Sequence, residues 1–327
     1  MIARTNCIAD LRPILAQLQL EDGARSSSSI NGDQDILESA QLSEIHWIPL
    51  RQEFVKVDPH DLCLFEQIGM GRSSQVLRAK WTSRSEIVAV KQLGGNSTAL
   101  PLDTWHRIRH PNIVKLLGAS RDLQPTHIVV EYCAGGSCFD LLHAHPEIHI
   151  QLSQKGRMLR TIAEALDYIH SFNPQIIHGD LKSRNVLLAT PFAESTIAPS
   201  VRVSCFGSIL ERAWYMSDTH MDASVGTLQW MAPEILNGNT FTAKMDIYSY
   251  GMLMYEVVSR GLPFGDTKDC EVKTQVLAGL RPCIPEGCPQ QATQLMMRCW
   301  AARPDHRPSF KEIINELHRR DPFGCAD

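Results

Sequence analysis

The stretch 178-HGDLKSRNVLL-188 decides how this chain is read. One short loop carries the carboxylate of Asp180, the ammonium of Lys182 and the carboxamide of Asn185, and an apolar run follows at once. A carboxylate can orient a hydroxyl, an ammonium can stabilise a phosphate in transfer, and a carboxamide oxygen suits Mg²⁺. The same side chains can also hold a loop by hydrogen bonds without doing chemistry. Upstream lies QKGRMLRTIAEALDYIHS, where Met158, Leu159, Ile162, Leu166 and Ile169 share one helical face. The loop is therefore expected between an amphipathic helix and a strand.

Outward from the loop the texture changes in a fixed order. Toward the N-terminus, DLCLFEQIGMGRSSQVLRAKW and SEIVAVKQL alternate like strands around Gly, Arg and Ser, and HIVVEYCAGGS ends a further strand in a Gly-rich turn. A Gly-rich turn such as IGMGRSSQV, Ile68 to Val76, brings backbone N–H groups close to phosphates, and VAVK places Lys91 at a strand end. Toward the C-terminus, VRVSCFGSIL reads as a strand stopping at a Cys-Phe-Gly turn, and GTLQWMAPEIL follows. DIYSYGMLMYEVVSRG is apolar nearly all round, as a helix buried inside its lobe would be. Ser309 and Glu312 form a capping box ahead of another apolar run. Strands first and helices afterwards imply an α+β protein of two lobes, the first small and β-rich and the second larger and helical.

In this order the motifs resemble the eukaryotic protein kinase domain, from about Asp58 to His318. Trp230 in LQWMAPE and the run RCWAARPDHRPSF resemble most the tyrosine-kinase-like group of Ser/Thr kinases. The resemblance implies ATP as cofactor and protein substrates or protein partners. It gives Asp180, Lys182, Asn185 and Thr227 the catalytic positions, with Thr227 bridging Asp180 and Lys182. Ile68, Gly69 and Gly71 would form the phosphate loop, and Val76, Ala89 and Leu187 would enclose the adenine. Lys91 would reach the phosphates. Val130 falls at the gatekeeper position, before hinge residues Glu131, Tyr132 and Cys133, whose backbone would bond the adenine edge. Glu234 with Arg307, and Asp246 behind the catalytic loop, match architectural positions.

The departures from the family fall on one phosphate clamp. Cys205 stands where the family has the aspartate that ligates Mg²⁺ between the β- and γ-phosphates. Mg²⁺ is a hard ion that takes oxygen, and a thiol of ordinary pKa near ~8.5 is mostly neutral at pH 7. Asn185 is left as the one recognisable metal ligand. The connection QLGGNSTALPLDTWHRIR, between Lys91 and His110, is roughly two helical turns shorter than the family's helix requires. The family's lysine-binding glutamate falls on Pro101, and Gly94, Gly95 and Pro101 all oppose a regular helix. A segment missing from the sequence would leave the same gap. Gly179 replaces the arginine that normally reads activation-loop phosphate, so Tyr215, Ser217, Thr219 and Ser224 lose that receptor. Two functions stay open: a kinase fold that keeps an ATP pocket with impaired transfer, and an active Ser/Thr kinase.

The bulk numbers agree with a globular protein. Of 327 residues, 43% are hydrophobic and 21% charged, and the net charge of −4 favours neither nucleic acid nor an anionic membrane. Ten cysteines lie scattered without Cys-x-x-Cys spacing, which fits a reducing, cytoplasmic protein rather than a disulfide framework. His143, His145 and His149 cluster without an acidic or cysteine partner at metal-ligand spacing. No apolar run approaches membrane-spanning length. The expected organisation is a poorly ordered tail over 1–56, with a short helix suggested by Ile8, Leu11, Ile14, Leu15 and Leu18. A kinase-like domain follows over 57–320 (lobes 57–132 and 137–320), then a tail over 321–327. Oligomeric state is not legible.

Overall fold

In the computed structural model, strand β2 (Leu62–Met70) opens a five-stranded antiparallel sheet. The structure describes residues 8–10, 55–71, 74–93, 102–120, 125–192, 198–204, 228–239, 241–320 and 322–324. The other strands are β3 (Ser74–Trp81), β4 (Glu86–Leu93), β5 (Leu116–Ser120) and β6 (Thr126–Glu131), in the order β2-β3-β4-β6-β5. The β-branched residues explain the pairing. Val88, Val90 and Val129 are fully buried and, with Val57, Leu62, Ala79 and Trp81, make a core on one face of the sheet. Residues 55–57 close that face, with Val57 N–H donating to the Ala119 carbonyl at 2.9 Å.

The rest of the domain is mainly helical. Helix α1 (Leu102–Arg107) precedes β5, with six described residues, about 9 Å of axis. Its Trp105 is buried in the main core. Helix α2 (Leu152–His170) is the amphipathic helix expected from the sequence and packs on α7 (Phe310–Arg320). Ser309 and Glu312 form the expected capping box at the start of α7, with the Glu312 amide donating to Ser309 Oγ at 3.3 Å. Short α3 (Pro233–Leu236) is followed by α4 (Lys244–Ser259), buried along most of its length as its composition requires. Helices α5 (Asp269–Leu277) and α6 (Gln290–Cys299) complete the lobe.

Two small sheets join these parts. Strands β7 (Val186–Leu188) and β8 (Val201–Val203) form a hairpin beneath the first lobe. Strand β1 (Ile8–Asp10) pairs antiparallel with β9 (Leu280–Pro282). Those three residues are extended where apolar spacing suggested a helix, because a backbone ladder with β9 overrides weak local periodicity; the rest of that stretch lies outside the described residues. Among the described residues no helix is long and apolar enough to cross a membrane, and all seven cysteines are free.

Candidate active site

The catalytic-position residues converge on one loop because β7 begins where the loop ends. A 3-10 turn, Ser183–Asn185, folds the chain back, with the Asn185 amide donating to the Lys182 carbonyl at 2.9 Å. That turn brings Asn185 Nδ2 to 2.8 Å from Asp180 Oδ2 and 2.7 Å from the Asp180 carbonyl. Lys182 Nζ lies 3.1 Å from Asp180 Oδ1. The Asp180 carboxylate is thus oriented from both sides and only partly exposed, a fit arrangement for receiving a hydroxyl proton beside a cation. Since Asn185 donates through its nitrogen, its amide oxygen faces away from Asp180.

Behind the loop stands Asp246 at the start of α4, with no exposure to solvent. Its Oδ2 accepts from the His178 amide at 2.7 Å and from His170 Nε2 at 2.9 Å, and its Oδ1 accepts from the Gly179 amide at 2.7 Å. Burial pushes this carboxyl upward. Hydrogen bonds from His170 and Gly179, with the electrostatic pull of the His170 and His178 rings, outweigh it and hold Asp246 below the usual aspartate range. His178 lies 3.1 Å from the Ser204 carbonyl through Nε2, so that nitrogen carries the proton, and Nδ1 accepts from the Asp180 amide at 3.2 Å. Gly179 has φ +75°, where a side chain is strained, so glycine at this position relaxes the loop while removing a phosphate-reading cation.

The sheet side of the site is built from β2, β3, β4 and β6. Gly69 and Val76 face each other across β2 and β3, Val76 pairs with Lys91, and Ala89 pairs with Val130. The Gly71 amide closes the loop onto the Ser74 carbonyl at 2.7 Å, and Ile68 is exposed. Lys91 is half-buried on β4 and has an interaction within the protein. At the hinge, the Glu131 amide donates to the Lys115 carbonyl at 3.0 Å, and its carboxylate accepts from the Lys115 amide at 2.8 Å and lies 3.3 Å from Arg202 Nε. Cys133 is buried, and desolvation pushes its thiol up to about 11, which keeps it protonated and unreactive. The hinge then docks on β7: the Gly135 amide donates to the Leu188 carbonyl at 3.0 Å, which sets Leu187 below the sheet. A Cβ at Gly135 would lie 2.3 Å from the Thr190 carbonyl oxygen, so this approach needs glycine.

Cys205 and Thr227 lie outside the described residues. Cys205 follows β8 directly after Ser204, whose carbonyl His178 holds. The donor set at the family's two metal positions is therefore an amide oxygen, Asn185, and a thiol, Cys205. Such a pair does not fit Mg²⁺, which wants hard oxygen donors. Among the described residues no group of three or more His, Cys, Asp or Glu could hold a metal ion.

Glu234 and Arg307 form the expected buried pair, bidentate at 2.6 and 2.7 Å. The histidine run is split between two partners: His143 bonds Glu256 at 2.8 Å, and His145 lies 3.0 Å from Glu147. Sequence reasoning missed Glu256. The signal was present, since it is the charged residue inside the otherwise apolar run YGMLMYEVV.

A model of the protein tyrosine and serine/threonine kinase family matches residues 62–317. The chain is 33% identical over 283 residues to a Bos taurus protein named mitogen-activated protein kinase kinase kinase 7, covering 84% of this chain and 46% of that protein. It is 31% identical over 268 residues to the Drosophila melanogaster protein of that name, covering 80% of this chain and 38% of the other. A probable serine/threonine-protein kinase of Dictyostelium discoideum is 34% identical over 256 residues, 71% of this chain and 16% of that protein. The chain thus spans less than half the length of these curated relatives.

Proposed function

The chain belongs to the protein kinase family, in its tyrosine-kinase-like Ser/Thr group, and from that membership we propose a cytoplasmic signalling protein that holds ATP but has lost most or all phosphoryl transfer. The observation that carries the proposal is Cys205 at the metal-bridging aspartate position. Positioning and charge stabilisation supply nearly all of the catalysis in this reaction class. A neutral thiol removes charge from the γ-phosphate side. The short connection after Lys91, with Pro101 at the glutamate position, removes the family's glutamate for aiming Lys91. The two losses strike cooperating parts of one clamp.

ATP itself fits what remains. Val76, Ala89 and Leu187 supply apolar walls, and Ile68, Gly69 and Gly71 supply the turn over the phosphates. The hinge meets the adenine edge through Glu131 and Cys133. The relatives' shared name places them on a cascade of kinases; for this chain a protein partner is the proposed ligand of the domain surface.

A second reading, an active Ser/Thr kinase, is favoured by the intact geometry of Asp180, Lys182 and Asn185. In that reading Asp180 takes the substrate hydroxyl proton and Lys182 steadies the transferring phosphate. Transfer of labelled γ-phosphate from ATP onto Ser or Thr of the chain itself, or of a general protein substrate, separates the two. The proposal expects wild type to match the Asp180→Asn background. Wild-type transfer that Asp180→Asn abolishes establishes the second reading instead.

A further inference from the structure

A row of polar side chains crosses the five-stranded sheet one residue beyond Lys91. Gln75 on β3 pairs with Gln92 on β4, Gln92 with His127 on β6, and His127 with Ser120 on β5. Gln75 is exposed and Gln92 half-buried, while His127 and Ser120 are buried. Gln75 Nε2 donates to Gln92 Oε1 at 2.7 Å, and Gln92 Nε2 lies 2.8 Å from His127 Nε2. An amide nitrogen only donates, so His127 Nε2 accepts and the ring proton sits on Nδ1. That nitrogen is buried and has no hydrogen-bond partner. A buried donor without a partner is costly, so the glutamines hold the ring in this form, not the groups around Nδ1.

The outer end of the row reaches the Gly-rich loop. Gln75 pairs with Met70 of that loop and directly follows Ser74, whose carbonyl takes the Gly71 amide. We propose that His127 is a positioning residue for this loop, acting through Gln92 and Gln75, and holds it only while the imidazole is neutral. Protonation makes Nε2 a donor that faces the Gln92 amide donor. Turning both amides over restores the bonds but leaves a positive charge inside the sheet. On either side β4 and β5 set Gln92 and Ser120 against the ring, and neither titrates. In the segment 55–57 that pairs with β5, the titratable residue is Lys56, a cation. Arg121 and Asp122, in the connection to β6, lie outside the described residues. Burial pushes the His127 pKa below the ordinary histidine value, with no charged group offsetting it. The ring is therefore neutral at pH 7 and charges only as pH falls through that lower value. Once charged it moves toward water, and the row loses its inner end.

Hydrogen exchange on the full chain, without nucleotide, tests the positioning. The Gly71 amide reports loop closure, and α4 amides at the same pH cancel the intrinsic pH response of exchange. Relative to them, wild-type Gly71 is expected to exchange about fivefold faster at about pH 5 than at about pH 7.5, as loss of one hydrogen-bonded link implies. His127→Gln keeps an acceptor that does not titrate, and its Gly71 ratio is expected to stay flat. Gln75→Leu, at the exposed end of the row, is expected to show the fast rate at both pH values. ATP affinity should follow: wild type relative to His127→Gln falls about fivefold over that range, a ratio that cancels the titration of ATP itself. The proposal is overturned if His127→Gln responds to pH as wild type does, or if Gln75→Leu keeps that response. It is also overturned if the Ala89 and Val130 amides loosen together with Gly71, since His127 is then a core residue and nothing more. What the loop holds rests on the ATP reading above. The Gly71 pattern without ATP binding sinks that reading and leaves the positioning standing.

Discussion

On the C-lobe side of the site, α4 sets two buried carboxylates behind the catalytic loop, Asp246 at its entry and Glu256 at its exit. On the N-lobe side, Lys91 stands half-buried on β4, and the described part of α1 spans Leu102–Arg107. Charges are buried on one side at full hydrogen-bonding cost and satisfaction. On the other, the ion pair Arg78 with Glu66 lies in water, with side chains 32% and 57% exposed. The loop shape is maintained by α4 from behind, through bonds that involve neither Pro101 nor Cys205. Retention of the loop is evidence about architecture before it is evidence about turnover.

The comparison breaks most visibly at Asp246. Asp246→Ala strips partners from the His178 and Gly179 amides and from His170, and is expected to cost about 3–5 kcal/mol by urea denaturation. The folded pKa of Asp246 lies below its unfolded value, so its stabilising contribution is complete above the ordinary aspartate pKa. That contribution fades as pH falls through the lower folded value, so the midpoint shift between wild type and Asp246→Ala should narrow in strong acid. A smaller effect is expected at the hinge, where Gly135→Ala forces a Cβ into Thr190 and Leu188 and should cost about 1–3 kcal/mol. Gly179→Ala, at φ +75°, should cost about 1–2 kcal/mol while leaving the Asp246 bonds in place. Least of all is expected at Glu66→Gln on the exposed N-lobe pair, where the denaturation midpoint should not move measurably.

Much of this was legible in residues with local rules. The Ser309 and Glu312 box, the amphipathic α2 and the buried α4 follow from spacing and composition alone. HGDLKSRN announced the loop because its three polar side chains must meet across one turn. Two features escaped. The β1 ladder depends on a partner strand far along the chain, at Leu280 to Pro282, which no local pattern indicates. The three donors on Glu256 come from positions 143, 183 and 230, and their convergence is a property of the packed lobe. A lone glutamate in an apolar helix was the available signal, because a buried charge requires partners.

The measurement that tests the proposed loss of metal chemistry most directly is ATP affinity with and without Mg²⁺, read by calorimetry or thermal shift on wild type and Cys205→Asp. The account predicts that wild type binds ATP about equally in both conditions, and that the aspartate variant binds more tightly when Mg²⁺ is present. Strong Mg²⁺-dependent tightening in the wild type would contradict it and would return Asp180, Lys182 and Asn185 to catalytic duty.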